Sequence, residues 1–350
     1  MPLFSLNNTL TLENQQTLNG VEVTYHTYGH FNPGVSRVIW ICHALTANSE
    51  AHVWWNGLVG KNKTLDTVND FIVCANVLGS CYGTTGPLSI HSATGQPYYH
   101  SFPSFTIRDM VQLHMALADH LGIEEIDLLI GGSLGGQQAL EWSIMEPHRI
   151  KSLVLVATNA VHSAWGKAFN ESQRMAIEMD TTWKENSDKA GSNGLQVARS
   201  IALLSYRNYV AYHQTDHEEM NRSPFTYQRY QGEKLAARFN AFSYYRLSQA
   251  MDSHDVGRGR GGFSAALRSI KARTLVIGIE GDLLFPNAEQ AVLARYIPGA
   301  RLSIIRSEYG HDGFLIEGHS IGHAIKTQLQ FNPNIHSVKS SITEKLCLTL

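Results

Sequence analysis

The sequence predicts an α/β fold in which helices cover both faces of a mostly parallel central sheet and a helical lid is inserted into the chain. Two observations predict the sheet: short, continuous apolar runs recur along the chain, and segments with helical periodicity separate them. Parallel strands need long crossover connections, which are usually helices, so this alternation indicates a sheet that is covered on both sides. A third observation, the lapse of the alternation between residues 164 and 263, predicts the lid.

The predicted strands begin near the N-terminus. Residues 21–28 alternate as in a half-buried strand, and residues 37–42 form the continuous apolar run of a fully buried one. Further buried runs follow at residues 71–78, 126–130, 152–157, 274–279 and 300–305. Among the helices between them, one begins with a capping box formed by Thr106 and Asp109. The last amphipathic helix is expected over about residues 317–329, and residues 332–350 show no interpretable pattern.

The segment 164–263 mixes polar and aromatic residues at helical spacing and contains no buried strand run. Its predicted helices cover residues 169–179, 194–209 and 232–251. The glycine-rich stretch 256–262 closes it and predicts a turn or hinge. We therefore expect a core domain formed by residues 1–163 and 264–350, with a helical lid over residues 164–263.

Composition excludes several classes of protein. With 28 basic and 30 acidic residues and no run of either sign, the chain has no electrostatic footprint for nucleic acid or an anionic membrane. We find neither a secretory signal nor an apolar stretch of about 18 residues, so we expect a cytoplasmic protein. The cysteines, at positions 42, 74, 81 and 347, form no C-x-x-C pair, and the histidines and acids show no metal-ligand spacing. No metal site is predicted.

The segment Gly131-Gly-Ser-Leu-Gly135 contains the predicted nucleophile, Ser133. It is a Gly-x-Ser-x-Gly motif that falls directly after a predicted buried strand and directly before a predicted helix at 137–145. This context is the sharp strand-to-helix turn of the α/β-hydrolase fold, which presents a serine hydroxyl above the sheet and leaves room only for glycine beside it. We therefore predict an enzyme that forms an acyl-serine intermediate.

A serine hydroxyl needs a histidine base and a carboxylate that orients the histidine. In this fold the order along the chain is serine, acid, histidine, each on a loop after a strand. The loop after residues 274–279 offers Asp282 as the acid, with Glu280 as a rival, and the loop after residues 300–305 offers His311. We predict the triad Ser133, Asp282 and His311.

The oxyanion of an acyl-transfer reaction needs hydrogen-bond donors that are already aimed at it. One donor is expected to be the backbone amide of Leu134, the residue after the nucleophile. We assign the second to Leu45, in the loop that follows the strand at 37–42. His43 and Thr46 in the same loop are either catalytic side chains or, as we favour, residues that shape the turn.

At this point the chain resembles the homoserine O-acetyltransferases of methionine biosynthesis. The resemblance extends over most of the chain and rests on co-linear segments that include His43-Ala-Leu-Thr46, residues 76–87, 106–110, 131–142 and 251–262, Asp282-Leu-Leu-Phe-Pro286 and residues 310–317. It implies a ping-pong reaction in which Ser133 takes an acetyl group from acetyl-CoA and the side-chain hydroxyl of homoserine then attacks the acetyl-enzyme. Acetyl-CoA would be a substrate, and no bound cofactor is expected.

The resemblance also implies how the amino acid is held. A zwitterion needs an acid for its ammonium group and a cation for its carboxylate. Asp312 suits the ammonium group, and Arg238 and Tyr244 match the family's substrate-binding stretch and suit the carboxylate. That stretch departs from the usual family form at Asn240 and Phe242, in the part of the lid expected to face the amino acid.

Several alternatives stay open at this stage. The donor can be succinyl-CoA instead of acetyl-CoA, the acceptor can be serine, and a plain esterase would use the same triad with water. Arg258 and Arg260 are candidate contacts for the phosphates of the CoA nucleotide. The family resemblance, together with a charged fraction of only 17%, predicts a homodimer through the lid helices.

Overall fold

The computed structural model describes residues 1–217 and 223–330, and the tail 332–350 lies outside the described residues. The main sheet has eight strands in the spatial order β1-β4-β6-β5-β7-β8-β9-β10. In chain order these are β1 (Leu3–Ser5), β4 (Glu22–Tyr28), β5 (Val38–Cys42), β6 (Phe71–Ala75), β7 (Leu128–Gly132), β8 (Ser152–Val156), β9 (Arg273–Ile279) and β10 (Arg301–Ile305), and a separate hairpin consists of β2 (Leu10–Thr11) and β3 (Thr17–Leu18).

The strands β1, β4 and β6 pair antiparallel, and every pair from β6 across to β10 is parallel. The prediction of a mostly parallel sheet is therefore confirmed. The sheet divides the core, because successive side chains of a strand point to opposite faces. Trp40 and Cys42 of β5 pack on one face, and Ile39 and Ile41 pack on the other.

Helices cover both faces of the sheet, as expected. Those that lie before residue 164 or begin after residue 262 are α1 (Ala51–Trp54), α2 (Ile107–His120), α3 (Leu134–Met145), α9 (Phe263–Arg268), α10 (Asn287–Tyr296), α11 (Gly313–Ile316) and α12 (Gly318–Gln328). The capping box predicted at the start of α2 is present, with the side chain of Thr106 accepting from the amide of Asp109 and the Asp109 carboxylate accepting from the amide of Thr106. Within the described residues, no helix combines the length and the apolar character needed to cross a lipid bilayer.

The segment between α3 and α9 that was expected to be helical contains α4 (Ala164–Glu178), α5 (Ser192–Tyr206), α6 (Tyr209–His217), α7 (Pro224–Ala236) and α8 (Ala241–Asp252). The prediction of one helix over residues 232–251 is wrong. The chain breaks after Ala236, and Asn240 starts a new helix because its side chain accepts a hydrogen bond from the amide of Ser243. The helix α6 was not predicted.

The last strand also differs from expectation. Residues 300–305 were predicted to form a fully buried strand, but β10 lies at the edge of the sheet and pairs only with β9. Leu302 and Ile304 are 40% and 45% exposed. An apolar run alone does not distinguish a central strand from an edge strand. The position of a strand in the sheet, and the helices that cover it, depend on how the whole chain packs.

Candidate active site

Ser133 lies at the turn between β7 and α3, with a backbone φ of 56° and ψ of −125°. The turn is held from behind by two bonds: the amide of Ser133 donates to Val156 O (3.0 Å), and the Thr158 hydroxyl donates to Ser133 O (2.9 Å). A Cβ added to Gly131 would lie 2.1 Å from Gly135 O. The crowding explains why glycine is required there, and the strained serine is typical of a nucleophile that is held in place by its surroundings.

The two predicted partners of the serine lie beside it. The Nε2 atom of His311 is 3.0 Å from Ser133 Oγ, and its Nδ1 atom is 2.7 Å from Asp282 Oδ2. All three side chains are nearly buried. The second carboxylate oxygen of Asp282 accepts bonds of 2.8 Å from the amides of Leu284 and Phe285. This arrangement can pass a proton from a nucleophilic hydroxyl to a base of fixed tautomer.

The structure also separates the two candidate acids. Glu280 is exposed, whereas Asp282 is buried and contacts His311. The imidazole is enclosed by aromatic rings, with ring centroids at 5.2 Å for Phe285, 5.1 Å for Phe314 and 5.7 Å for Tyr206. His311 is held in one orientation, because both of its ring nitrogens form hydrogen bonds and aromatic rings pack around the imidazole.

The residues proposed for the oxyanion site follow the carboxyl ends of β5 and β7, which are neighbouring parallel strands. Leu134 is the first residue of α3, so its amide has no partner within the helix. The loop of Leu45 lies against this helix end: a Cβ added to Gly135 would be 2.1 Å from Cys42 O and 3.1 Å from His43 C. Gln138 Nε2 donates to both His43 O and Leu134 O, at 3.2 Å each.

His43 shapes this loop. Its Nε2 atom accepts a hydrogen bond from the amide of Val77 (3.2 Å), so Nδ1 carries the proton and donates to Ala44 O (2.9 Å). Burial lowers the pKa of His43 to about 4. A neutral histidine whose two nitrogens both bind backbone is a structural part of the turn, which agrees with the interpretation we favoured from sequence.

The residues assigned to the substrate carboxylate have other partners. Arg238 is exposed, and its Nη1 atom donates to Thr46 O (2.7 Å) and to the hydroxyl of Tyr82. Tyr244 is fully buried, and its hydroxyl donates to Gln173 Oε1 at 2.5 Å. Burial raises the pKa of Tyr244 well above its ordinary value. Arg238 therefore contacts the loop of Leu45, while the side chain of Tyr244 contacts Gln173 of α4.

Asp312 follows the histidine on the short turn Gly310–Asp312. Its Oδ2 atom accepts a hydrogen bond of 3.2 Å from Nε of Arg207. Arg207 and its neighbour Tyr206 end α5, and sequence analysis did not single out either residue. The helical pattern of 194–209 predicts that they belong to a helix. It does not indicate which part of the molecule the end of that helix contacts.

The family departures at Asn240 and Phe242 have structural explanations. Asn240 is the N-cap of α8. Phe242 is buried, with ring centroids 4.8 Å from His100 and 5.0 Å from Trp183. Asn240 therefore caps α8, and Phe242 packs that helix against His100 and Trp183.

Arg258 and Arg260, considered as phosphate contacts, are bound to carboxylates. Arg258 Nη2 lies 2.6 Å from Glu13 Oε2, and Arg260 Nη1 lies 2.6 Å from Glu141 Oε2. These ion pairs join the glycine-rich turn to the N-terminal segment and to α3. Among the described residues, no group of three or more histidine, cysteine, aspartate or glutamate side chains is arranged to hold a metal ion.

Comparison with known proteins agrees with this geometry. Residues 37–317 match the family model described as the α/β hydrolase fold. The homoserine O-acetyltransferase of Cyclobacterium marinum is 45% identical over 329 residues, which cover 93% of this chain and 94% of that protein.

Two solved structures are also similar. One is a homoserine O-acetyltransferase from Bacillus anthracis, with 27% identity, a TM-score of 0.83 and coverage of 93% of this chain and 95% of that one. The other is an esterase solved as a point mutant, with 25% identity, a TM-score of 0.84 and coverage of 94% and 98%. The fold is therefore shared by transferases and hydrolases of esters.

Proposed function

Because this chain belongs to the α/β-hydrolase family and, within it, to the homoserine O-acetyltransferases, we propose that it transfers an acetyl group from acetyl-CoA to the side-chain hydroxyl of homoserine, a step of methionine biosynthesis. The observation that carries the proposal is the buried Ser133–His311–Asp282 array, with distances of 3.0 and 2.7 Å. The similarity to named transferases over nearly the whole chain supports the choice of reaction.

The first half-reaction acylates the enzyme. Ser133 Oγ attacks the thioester carbonyl while Nε2 of His311 takes the hydroxyl proton. The amides of Leu45 and Leu134 stabilise the oxyanion, and loss of one such donor typically costs about 10²- to 10³-fold in rate. The C–S bond then breaks, and the leaving thiolate of CoA receives the proton from His311.

The second half-reaction transfers the acetyl group. His311 takes the proton from the homoserine hydroxyl as its oxygen attacks the acetyl-serine. Collapse of the second tetrahedral intermediate releases O-acetylhomoserine and returns the proton to Ser133 Oγ. Asp282 keeps Nδ1 of the histidine protonated in both halves. The base and the oxyanion donors are thus protein groups, and acetyl-CoA acts as a substrate.

The lid and the assembly belong to the same proposal. We assign residues 164–263 as a lid over a core domain of 1–163 and 264–350. We propose a homodimer through the lid, since large apolar side chains of α5, α6 and α7 are at least half exposed: Val197, Leu204, Tyr209, Phe225 and Tyr230. A sedimentation experiment at micromolar concentration checks this, and a monomer contradicts it. A cytoplasmic location follows from the proposed donor, acetyl-CoA.

The second candidate function is an ester hydrolase, which the similarity to a solved esterase favours. The deciding experiment follows free thiol as the protein is mixed with acetyl-CoA or succinyl-CoA and with homoserine, serine or no acceptor. We expect CoA release with acetyl-CoA that depends on homoserine, and none from Ser133→Ala. If an aryl acetate is hydrolysed rapidly and homoserine neither speeds turnover nor captures the acetyl group, the hydrolase is the correct function.

A further inference from the structure

The two proposed oxyanion donors lie on separate segments that the sheet aligns only at their start. The pairing of β5 with β7 ends at Cys42 and Gly131. Leu45 and Leu134 come three residues after those positions, outside the pairing of the two strands. The position of one donor amide relative to the other therefore depends on contacts beyond the sheet.

The amide of Leu45 has a fixed direction within its own loop. It shares a planar peptide group with Ala44 O, so the position of that oxygen sets the direction of the N–H. Ala44 O accepts hydrogen bonds from Nδ1 of His43 (2.9 Å) and from the amide of Ala47 (3.0 Å). Both bonds lie within residues 43–47, so they fix the amide relative to the loop but not relative to the nucleophile.

The amide of Leu134 is fixed in the same way, but relative to the nucleophile. Its peptide group contains Ser133 O, which accepts hydrogen bonds from the Thr158 hydroxyl (2.9 Å) and from the amide of Gln137 (3.2 Å). A tetrahedral intermediate needs both donors to be aimed at one oxygen atom. The two segments must therefore also be held relative to each other.

The side chain of Gln138 links the two segments. Its two carboxamide N–H groups donate to His43 O and Leu134 O, at 3.2 Å each, so one bond reaches the loop of Leu45 and the other reaches the residue after the nucleophile. Because both partners are acceptors, the orientation of the carboxamide is fixed, and Oε1 accepts from Nε2 of His114 (2.9 Å). Gln138 is fully buried, and both polar atoms of its side chain are used.

His114 holds the other side of the carboxamide. Its ring stacks on that of Trp142, with centroids 5.7 Å apart, and meets the ring of Trp40 edge-on at 5.8 Å. Trp40 belongs to β5, the strand that leads into the loop of Leu45. Burial lowers the pKa of His114 to about 4, so the ring is neutral near pH 7 and its one N–H serves Gln138.

We propose that Gln138 is a positioning residue that keeps the two oxyanion donors aimed at the same point, an inference that rests on the acyl-serine intermediate of the proposed function. Gln138 acts through the backbone of His43 and Leu134. Loss of one oxyanion donor typically costs about 10²- to 10³-fold in rate, and a misplacement of about 1 Å can cost about 10²-fold. Release of this link should therefore slow the formation of each tetrahedral intermediate.

The test measures acylation by p-nitrophenyl acetate and by its thiono analogue, in which sulfur replaces the carbonyl oxygen. Sulfur is a weak hydrogen-bond acceptor, so acylation by the thiono ester gains little from the oxyanion donors. Gln138→Met keeps the length of the side chain and removes its hydrogen bonds. We expect its burst rate to fall about 10- to 100-fold with the oxygen ester and by less than about threefold with the thiono ester. An equal loss with both esters would overturn the proposal.

Gln137→Met is the matched control. Gln137 is also fully buried and precedes Gln138 on α3, but its carboxamide donates to Asn159 Oδ1 (3.0 Å) and not to the oxyanion segments. Its burst rates should stay within about threefold of wild type with both esters. The burst amplitude counts the folded active sites. If Gln138→Met shows a smaller amplitude at an unchanged rate, or if Gln137→Met shows the same selective loss, the proposal is wrong.

Gln138→Asn is used if the methionine variant does not fold. Its carboxamide is one methylene shorter and cannot reach both carbonyls, so the same selective loss is expected, and a wild-type rate contradicts the proposal. Acylation by an aryl ester involves neither CoA nor homoserine, which separates this inference from the transfer reaction. A wild-type protein that gives the burst but no transfer to homoserine refutes the transferase function alone. Absence of a burst in the wild type overturns both, because both require the acyl-serine.

Discussion

Replacement of Asp282 by asparagine probes the orientation of the catalytic base. In the wild-type protein, Asp282 Oδ1 accepts hydrogen bonds from the amides of Leu284 and Phe285, both at 2.8 Å, and Asp282 Oδ2 lies 2.7 Å from Nδ1 of His311. In Asp282→Asn these two backbone amides keep the carboxamide oxygen at the position that Oδ1 occupies in the wild-type protein. The NH₂ group must then face the histidine.

A donor at that position requires Nδ1 of His311 to be unprotonated, which puts the proton on Nε2. The imidazole then donates toward Ser133 Oγ and cannot accept its proton, although the geometry of the site is kept. We expect kcat to fall by about 10⁴-fold, the effect of the same tautomer error in a serine protease triad. This corresponds to about 5.5 kcal/mol of transition-state stabilisation.

The assay measures thiol release from acetyl-CoA in the presence of homoserine, with the midpoint of thermal unfolding as a check on the fold. Glu280→Gln is the matched control, since Glu280 is exposed two residues earlier on the same loop, and its kcat should stay within about threefold of wild type. A loss of less than tenfold in Asp282→Asn, or an equal loss in Glu280→Gln, would refute the assigned acid.

Three further predictions concern stability. Burial lowers the pKa of His43, His114 and His254 to about 4 and that of His162 to about 3, from an ordinary value of 6.5. As pH falls below 6.5, these histidines bind protons in the unfolded chain but not in the folded chain. The free energy of unfolding, measured by urea titration, should therefore fall by about 1 kcal/mol per histidine between pH 7.5 and 5.5. A free energy of unfolding that does not change over this pH range would contradict this. The side chain of Glu141 is 2% exposed and pairs with Arg108 and Arg260. Glu141→Gln should therefore lower the free energy of unfolding by about 3 kcal/mol. In the control, Glu13→Gln, the replaced side chain is 27% exposed, and the loss should be less than about 1 kcal/mol. Gly135→Ala places a Cβ 2.1 Å from Cys42 O and should lower the free energy of unfolding by about 3 kcal/mol or more. In the control, Gly122→Ala, the added Cβ meets open space, and the φ of 69° should cost about 1–2 kcal/mol. Similar unfolding midpoints for the two variants would argue against the clash at Gly135.

Two features show where sequence reasoning was incomplete. The sequence favoured Asp282 over Glu280 as the partner of His311, but both residues follow the same strand, and only the placement of the loop shows that Asp282 contacts the histidine. The wrong prediction of one helix over 232–251 has a local cause. Local periodicity continues across residues 237–240, but the chain turns there, and Asn240 satisfies the first amides of the next helix.

The sequence alone determined the strand and helix alternation, the turn that carries Ser133, and the order of the three catalytic groups along the chain. These features are local, because periodicity and backbone sterics act over a few residues. Only the tertiary structure decided which side chains meet: Ser133 with His311 across 178 residues, Asp282 with His311 across 29, and Arg207 with Asp312 across 105. Such pairs depend on how helices pack over the sheet, and no short segment encodes that packing.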